Sequence, residues 1–317
     1  MQKTIILAIL ILFIGCKSKA TGEYNEIIVL CSDEDKEFVY PVIETFFSES
    51  ISTPQPENVF KLVWKAPWDL ESYKNRHNII VVSIDNPADN SGDRLYQRLV
   101  ESTSDTQNII SKNDMFAHNQ LFIGLHGQDI IELQTELISN REWLLNKINT
   151  TFYNNLSEYV FSKGINQDLS SEVVNQFDIN INLQEDFLIL EQTDNMLWLG
   201  RGYPYRWLIF QKLSVPITDV KQAWFELENI FSQTIPMISF SEKLRKSSIE
   251  LIDGRKSLLL RGIYDHQESD TGGPFFTYLI KDSDNSSIAV TGLVNFPGHE
   301  KIMLLKQLEL IIKTIKF

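Results

Sequence analysis

The side chains able to do chemistry are dispersed along this chain. Five histidines stand at positions 77, 118, 126, 266 and 299. His118 and His126 bracket one apolar stretch at an even separation, which on a strand puts both on the same side. At about 3.3 Å per residue they are more than roughly 20 Å apart, so one metal ion cannot bridge them. Asp33, Asp35 and Asp85 follow apolar runs and could together hold Mg²⁺ or Ca²⁺. Asp33 and Asp35 also suit the first turn of a helix, where carboxylates satisfy free backbone N–H groups. Glu268 and Asp270 precede Gly272-Gly273-Pro274. Such an acidic loop could hold a cation, or supply the two carboxyl groups of a glycan hydrolase, which must lie about 5 Å apart or somewhat more. The carboxylates have no regular ligand spacing. The adjacent glycines before a proline predict a sharp start to a strand, at a backbone angle that glycine tolerates cheaply.

Patterns with a defined mechanism are missing. There is no G-x-S-x-G elbow, no H-E-x-x-H, no C-x-x-C and no complete phosphate loop. The run GRKS at 254–257 lacks the upstream glycine and joins strand to strand. No catalytic residue, metal ligand set or cofactor is assigned. Cys31 follows Ile27–Leu30 and reads as a small buried hydrophobe. The densest recognition chemistry is GRGYPYR at 200–206, with Arg201, Tyr203, Tyr205 and Arg206, flanked by Trp198 and Trp207. Arg, Tyr and Trp are the types most enriched in interface hot spots. Arg261 alternates with Leu260 along a strand, so if Leu260 faces the helices Arg261 lies on the other face, where it could stand beside that turn. This turn is the expected partner-binding face; the alternative is a hairpin whose aromatics pack on the sheet and whose arginines are solvated.

The first sixteen residues, MQKTIILAILILFIGC, place Lys3 before an apolar run, Ile5–Ile14, that ends in Gly15-Cys16. The run is shorter than the roughly twenty apolar residues of a membrane-spanning helix. It resembles the lipobox of bacterial lipoproteins, with Phe13 where leucine is usual. The resemblance implies cleavage before Cys16, diacylglycerol on its sulfur and acylation of the new amino terminus. At about 0.8 kcal/mol per buried CH₂, several acyl chains make a durable membrane anchor. With Cys16 so modified, Cys31 has no partner for an internal disulfide.

Net charge is −13, and −14 once Lys3 leaves (28 basic against 42 acidic residues). An acidic chain without a basic cluster excludes nucleic acid and polybasic lipid binding as partners. No repeat or low-complexity tract interrupts 317 residues, long enough for two cores.

The elements that must hold these residues follow from periodicity. Lys17–Asn25 is a polar tether. EIIVLC is a buried strand, and Ser32 with Asp35 three residues on opens a helix. Strands Phe60–Trp64 and Ile79–Ile84, the helical turn Pro67–Tyr73 and the loop Asn86–Asp93 complete an α/β signature. A helix around Leu95–Val100 and a strand over Gln120–Leu125 follow. Helical spacing over Ile130–Phe161 would span about 50 Å unbroken, which predicts an interruption at Ser139–Asn140 or Asn149–Thr151. Leu169–Phe177 is a short helix. The second half is strand-rich: Phe187–Leu190, Met196–Leu199 and Trp207–Leu213, then a helix over Thr218–Gln233. Asp253-Gly254 joins Ile249–Ile252 to Ser257–Arg261 as a tight hairpin. Leu258–Phe296 reads as three strands at the middle of a sheet, and Glu300–Lys316 as a closing helix. The expected organisation is a signal at 1–16, a tether at 17–25, an α/β domain at 26–179, and an α+β domain with an antiparallel sheet at 180–317.

Several segments resemble an uncharacterised family of lipoproteins of Bacteroidetes-type bacteria, grouped as a domain of unknown function. They are TPQPENVF at 53–60, NRHNIIVVSI at 75–84, DMFAHNQLFI at 114–123, RGIY, GGPFFTY, and NFPG with a final helix ending in KF. Phe116 and Tyr264 depart from the pattern, standing where tryptophan is usual. The resemblance implies an envelope location and supplies no activity. The second half is also distantly similar to the PsbP-type α+β sandwich. Lys17-Ser18-Lys19 lacks the acidic residues that resemble surface-export signals in such lipoproteins, which implies the periplasmic face of the outer membrane. Three functions fit: a binding or accessory lipoprotein, a carboxylate-dependent hydrolase of envelope glycans, or a carrier of a small apolar ligand.

Overall fold

The structure is a computed structural model that describes residues 17–85, 88–217, 219–268, 271–283 and 286–317. The signal segment, Cys16 and Asp270 lie outside the described residues. No helix among those described is long and apolar enough to cross a membrane.

The first half runs β1 (Glu26–Leu30), α1 (Asp33–Phe46), β2 (Ser50–Ser52), β3 (Pro56–Asn58), β4 (Lys61–Lys65), α2 (Leu70–Tyr73), β5 (Asn78–Ile84), α3 (Ser91–Thr103), β6 (Ile109–Asn113), β7 (Leu121–Gly127), α4 (Ile130–Ser139), α5 (Arg141–Val160) and α6 (Gln167–Phe177). The chain divides into two compact units, one of residues up to Tyr40 with Leu62–Leu144, the other of Pro41–Lys61 with Leu145–Phe317.

The first unit is built on a five-stranded sheet in the order β4-β1-β5-β7-β6. β1, β5 and β7 run parallel, and β6 pairs antiparallel to β7. Strands covered on both faces read as continuous apolar runs, and every residue of Asn78–Ile84 is buried. On one face Ile28, Leu30, Ile79, Val81 and Phe122 pack against Leu95, Tyr96 and Leu99 of α3. Ser32 caps α1, its Oγ accepting from Asp35 N at 3.1 Å. The Asp35 carboxylate accepts from Ile84 N at 3.3 Å and so ties α1 to the end of β5. The long helical pattern breaks at Asn140, whose side chain donates to Glu136 O at 3.0 Å while its own carbonyl accepts from Leu144 N.

The second half runs β8 (Leu188–Thr193), β9 (Met196–Arg201), β10 (Tyr205–Leu213), α7 (Val220–Thr234), β11 (Ile238–Phe240), β12 (Lys246–Ile252), β13 (Arg255–His266), β14 (Thr271–Ser283), β15 (Ser286–Asn295) and α8 (Ile302–Ile312). These strands make one antiparallel sheet, β11-β13-β14-β15-β10-β9-β8, with β12 also paired to β13. β13, β14 and β15 are central, as their alternation predicts. Asp253 and Gly254 take φ of 47° and 78°, the left-handed pair of a two-residue hairpin.

Helices cover both faces of this sheet. Ala223, Trp224, Leu227 and Phe231 of α7 pack on Leu260, Phe275 and Leu293. α8 lies on the other face, buried nearly all round, with Lys306, Gln307 and Glu309 inside beside Leu305, Leu308 and Ile311.

Two expectations change. The expected domain junction near residue 180 falls inside the second unit. α6 binds that sheet through Gln176 Nε2 to Thr193 O at 2.6 Å and Phe177 against Phe210 at 5.7 Å, and Asn180 pairs with Lys316. Residues 41–61 also join this unit, where the Glu57 carboxylate accepts from Lys301 N and Ile302 N, each at 2.8 Å, at the start of α8. The second change concerns the glycine pair. Gly272 and Gly273 sit in β14 opposite Asp265 and Tyr264, without the left-handed φ predicted for them. Close approach of the neighbouring strands explains them: a Cβ would fall 2.3 Å from Tyr264 O at Gly272 and 2.0 Å from Val294 O at Gly273.

Candidate functional site

The turn between β9 and β10 was the expected partner-binding face, and the structure divides its residues. Tyr203 and Tyr205 are 61% and 45% exposed and touch edge to face with ring centroids 5.6 Å apart. Tyr205 stacks on Trp207 at 5.8 Å, and Trp207 meets the buried Tyr264 at 6.5 Å. Tyr203 also contacts Phe296 at 5.3 Å, and Phe296 stacks on His299 at 4.2 Å. A continuous aromatic path thus runs from the core to two exposed phenols. Strand alternation causes it, since Tyr205 and Trp207 lie two residues apart on one face.

The arginines and Trp198 do not join that surface. Arg206 is 7% exposed, and its guanidinium donates to Gln307 Oε1 on α8 and to Pro204 O. Burial, reinforced by the like charge of Arg201, lowers its pKa to about 10. Arg201 pairs with Asp186 and donates to Gln184 Oε1 at 2.6 Å. Arg261 does lie opposite Leu260, but that face is covered by α8. There Arg261 pairs with Glu309, which is 1% exposed and also accepts from Lys306 Nζ at 3.1 Å. Burial pushes the Glu309 pKa up, yet Lys306 and Arg261 overcome it and hold the carboxyl at about 2. Trp198 packs against the α7-side core, its Nε1 buried without a hydrogen-bond partner among the described residues. Arg201, Arg206, Arg261 and Trp198 are therefore corrected from contact residues to supports of the sheet and its neighbouring segments. The reason is that both faces carry helices, so alternation cannot assign a strand residue to solvent.

The acidic loop candidate keeps only Glu268, which is exposed, among the described residues. A groove of about 440 Å³ on the α7 side is lined by Ile217, Val220, Ile249, Leu258 and Leu279, with Lys256 and Lys281. It is an open surface of mixed polar and apolar lining. Cys31 is buried, and burial together with Asp35 pushes its thiol pKa well up, out of the nucleophilic range.

One cluster escaped sequence reasoning. At the carboxyl edge of the parallel sheet, His126 Nε2 lies 3.2 Å from Asp85 Oδ1 and 3.9 Å from Asp93 Oδ1. Asp85 thus faces His126, not Asp33 and Asp35 as the cation grouping had it. The three come from β7, from the end of β5 and from the first turn of α3, and only the topology unites them.

Two family models match the chain, each described as a domain of unknown function: DUF8532 over residues 20–160 and DUF4837 over residues 166–314. Neither match alone reaches half of the chain, and together they span most of it. DUF4837 takes in the whole antiparallel sheet and the Tyr203–Tyr205 turn; DUF8532 takes in the Asp85, Asp93 and His126 cluster. No curated protein sequence matches the chain. Similar solved structures include a Bacteroides thetaiotaomicron protein at 12% identity and TM-score 0.28, covering 44% of each chain. The match therefore spans under half the length of that protein. The Ran-binding protein Mog1p of Saccharomyces cerevisiae is similar over 44% of this chain and 89% of its own, at 11% identity and TM-score 0.32. LpqN of Mycobacterium tuberculosis, involved in cell envelope biogenesis, is similar over 44% and 83%, at 15% identity and TM-score 0.29. Scores this low carry no argument about function.

Proposed function

We propose that this protein is a binding or accessory lipoprotein of the cell envelope. In this reading Cys16 anchors it to the outer membrane facing the periplasm, and the DUF4837 turn meets a protein partner. The observation that carries the binding role is the exposed pair Tyr203 and Tyr205 at the end of an aromatic path rooted in the core. Tyrosine offers wide contact area and a directed hydroxyl with only two side-chain torsions to freeze, so anchors already held in place lose little entropy on binding. The anchor rests on the sequence pattern ending in Gly15-Cys16. We take the second unit as a PsbP-type α+β sandwich, supported by an antiparallel sheet with helices on both faces.

The test is a Tyr203→Ala, Tyr205→Ala variant, which leaves the inward-facing Arg206 in place. Envelope partners are crosslinked to the parent and identified, and the affinity of the leading partner is then measured for both proteins. Loss of hot-spot residues costs about 2 kcal/mol or more, which is roughly thirtyfold in affinity. Unchanged affinity, with melting temperature also unchanged, removes this turn from the binding face.

A further inference from the structure

We infer that the DUF8532 half carries a divalent transition-metal site formed by Asp85, Asp93 and His126. In its sheet β1, β5 and β7 run parallel, and open α/β sheets bind ligands outside the carboxyl ends of such strands. Asp85 directly follows β5, and His126 sits one strand over on β7, opposite Ser83.

The local sequence builds this arrangement. Asp93 and Tyr96 are three residues apart on α3 and so share a helix face. Asp93 reaches the imidazole, and the Tyr96 ring stacks on it with centroids 4.9 Å apart and planes 20° apart. The Tyr96 hydroxyl in turn donates to Gln107 O, which fixes the tyrosine. Gly124, two residues before His126, lets α3 come this close; a Cβ there would fall 2.8 Å from the Tyr96 ring. The histidine is thus held by stacking, with Nε2 turned to two carboxylates, as an outer shell orients a metal ligand.

The distances suit a shared ion. Metal–ligand bonds of about 2.0–2.2 Å require donors within roughly 4.4 Å of one another. The two distances to His126 meet that, and all three donor atoms lie within 4.8 Å of one another, so a small rotamer shift closes the set. Among the described residues His126 is the only basic side chain in ion-pair range of either carboxylate. Asp93 also accepts from the Gln97 amide at 3.2 Å, and that contact carries no charge. A histidine carries charge only when protonated, whereas a divalent ion neutralises both carboxylates and takes the imidazole as a neutral ligand. One nitrogen and two oxygens suit Zn²⁺ or Mn²⁺ better than Ca²⁺, which takes six to eight oxygens. The Asp85 side chain is 58% exposed, which leaves coordination positions open to water or to an anionic ligand.

Isothermal titration of the untagged, chelator-treated chain with ZnCl₂ and with MnCl₂ tests this. One ion per chain is expected, with His126→Ala and Asp85→Asn each weakening Zn²⁺ binding about tenfold or more. Asp85 is exposed, so its variant should melt like the parent in the absence of metal and remains decisive if His126→Ala fails to fold. Electron paramagnetic resonance of bound Mn²⁺ should lose the bound signal in the same variant. No uptake of either ion, or equal uptake by parent and Asp85→Asn, overturns the site and leaves only a hydrogen-bonded Asp–His contact.

Discussion

Glu309→Gln probes how the second sheet holds its closing helix. Glu309 is almost wholly buried between Arg261 of β13 and Lys306 one turn earlier on α8. The substitution keeps the shape and removes the charge, leaving two cations whose side chains are only 18% and 9% exposed. The pKa of about 2, against an ordinary 4.5, corresponds to about 3 kcal/mol of stability at neutral pH. Removing one partner of a buried pair typically costs about 3–5 kcal/mol, so both routes give the same order. The sign over pH follows from a folded pKa below the unfolded one. The contribution is complete above about pH 4.5 and fades as pH falls toward 2. Urea unfolding of parent and variant at pH 7 and pH 3, followed by tryptophan fluorescence, should therefore show a large gap at pH 7 that narrows at pH 3. A companion variant, Arg261→Met with Lys306→Met and Glu309→Leu, should recover most of the loss, because a buried ion cluster is replaceable by apolar packing. A Glu309→Gln loss below about 1 kcal/mol at pH 7, or a gap that does not change with pH, would mean that the ion cluster does not hold α8 on the sheet.

Gly273→Ala should destabilise the second unit by about 3 kcal/mol in urea, since the new methyl would meet Val294 O at 2.0 Å between two paired strands. Ser32→Ala should cost about 1 kcal/mol through loss of the cap on α1, read as a lower melting temperature. Native Cys31 should resist iodoacetamide at pH 8 and react once the chain is unfolded, because burial keeps its thiol protonated. Mass spectrometry of detergent-extracted protein should find acyl mass on Cys16, and a Cys16→Ala variant should leave the membrane fraction.

What the sequence disclosed was local. Asp253-Gly254 announced its hairpin, Ser32 its helix cap, and the alternation of Leu258–Phe296 the centre of the sheet. Short strands without alternation stayed hidden: Ile109–Asn113 opens with two isoleucines and turns polar, and Ile238–Phe240 is three residues long. Long-range relations were hidden as well. Nothing in PENVF signals that Glu57 caps a helix about 245 residues later. Alternation put Arg261 opposite Leu260 correctly but could not show that α8 covers that face. Tyr203 and Tyr205 remained exposed because they lie at the turn, beyond the reach of either helix layer. Asp85, Asp93 and His126 are separated by an α/β crossover, so their meeting depends on strand order.

The binding role of the Tyr203 turn is tested most directly by photo-crosslinking in intact cells. A photoreactive amino acid is placed at Tyr203, and in a separate strain at Ile138, which is 76% exposed in the first unit. A discrete crosslinked adduct is expected from position 203 that position 138 does not give. No adduct at 203, or the same adducts from both positions, contradicts the binding role.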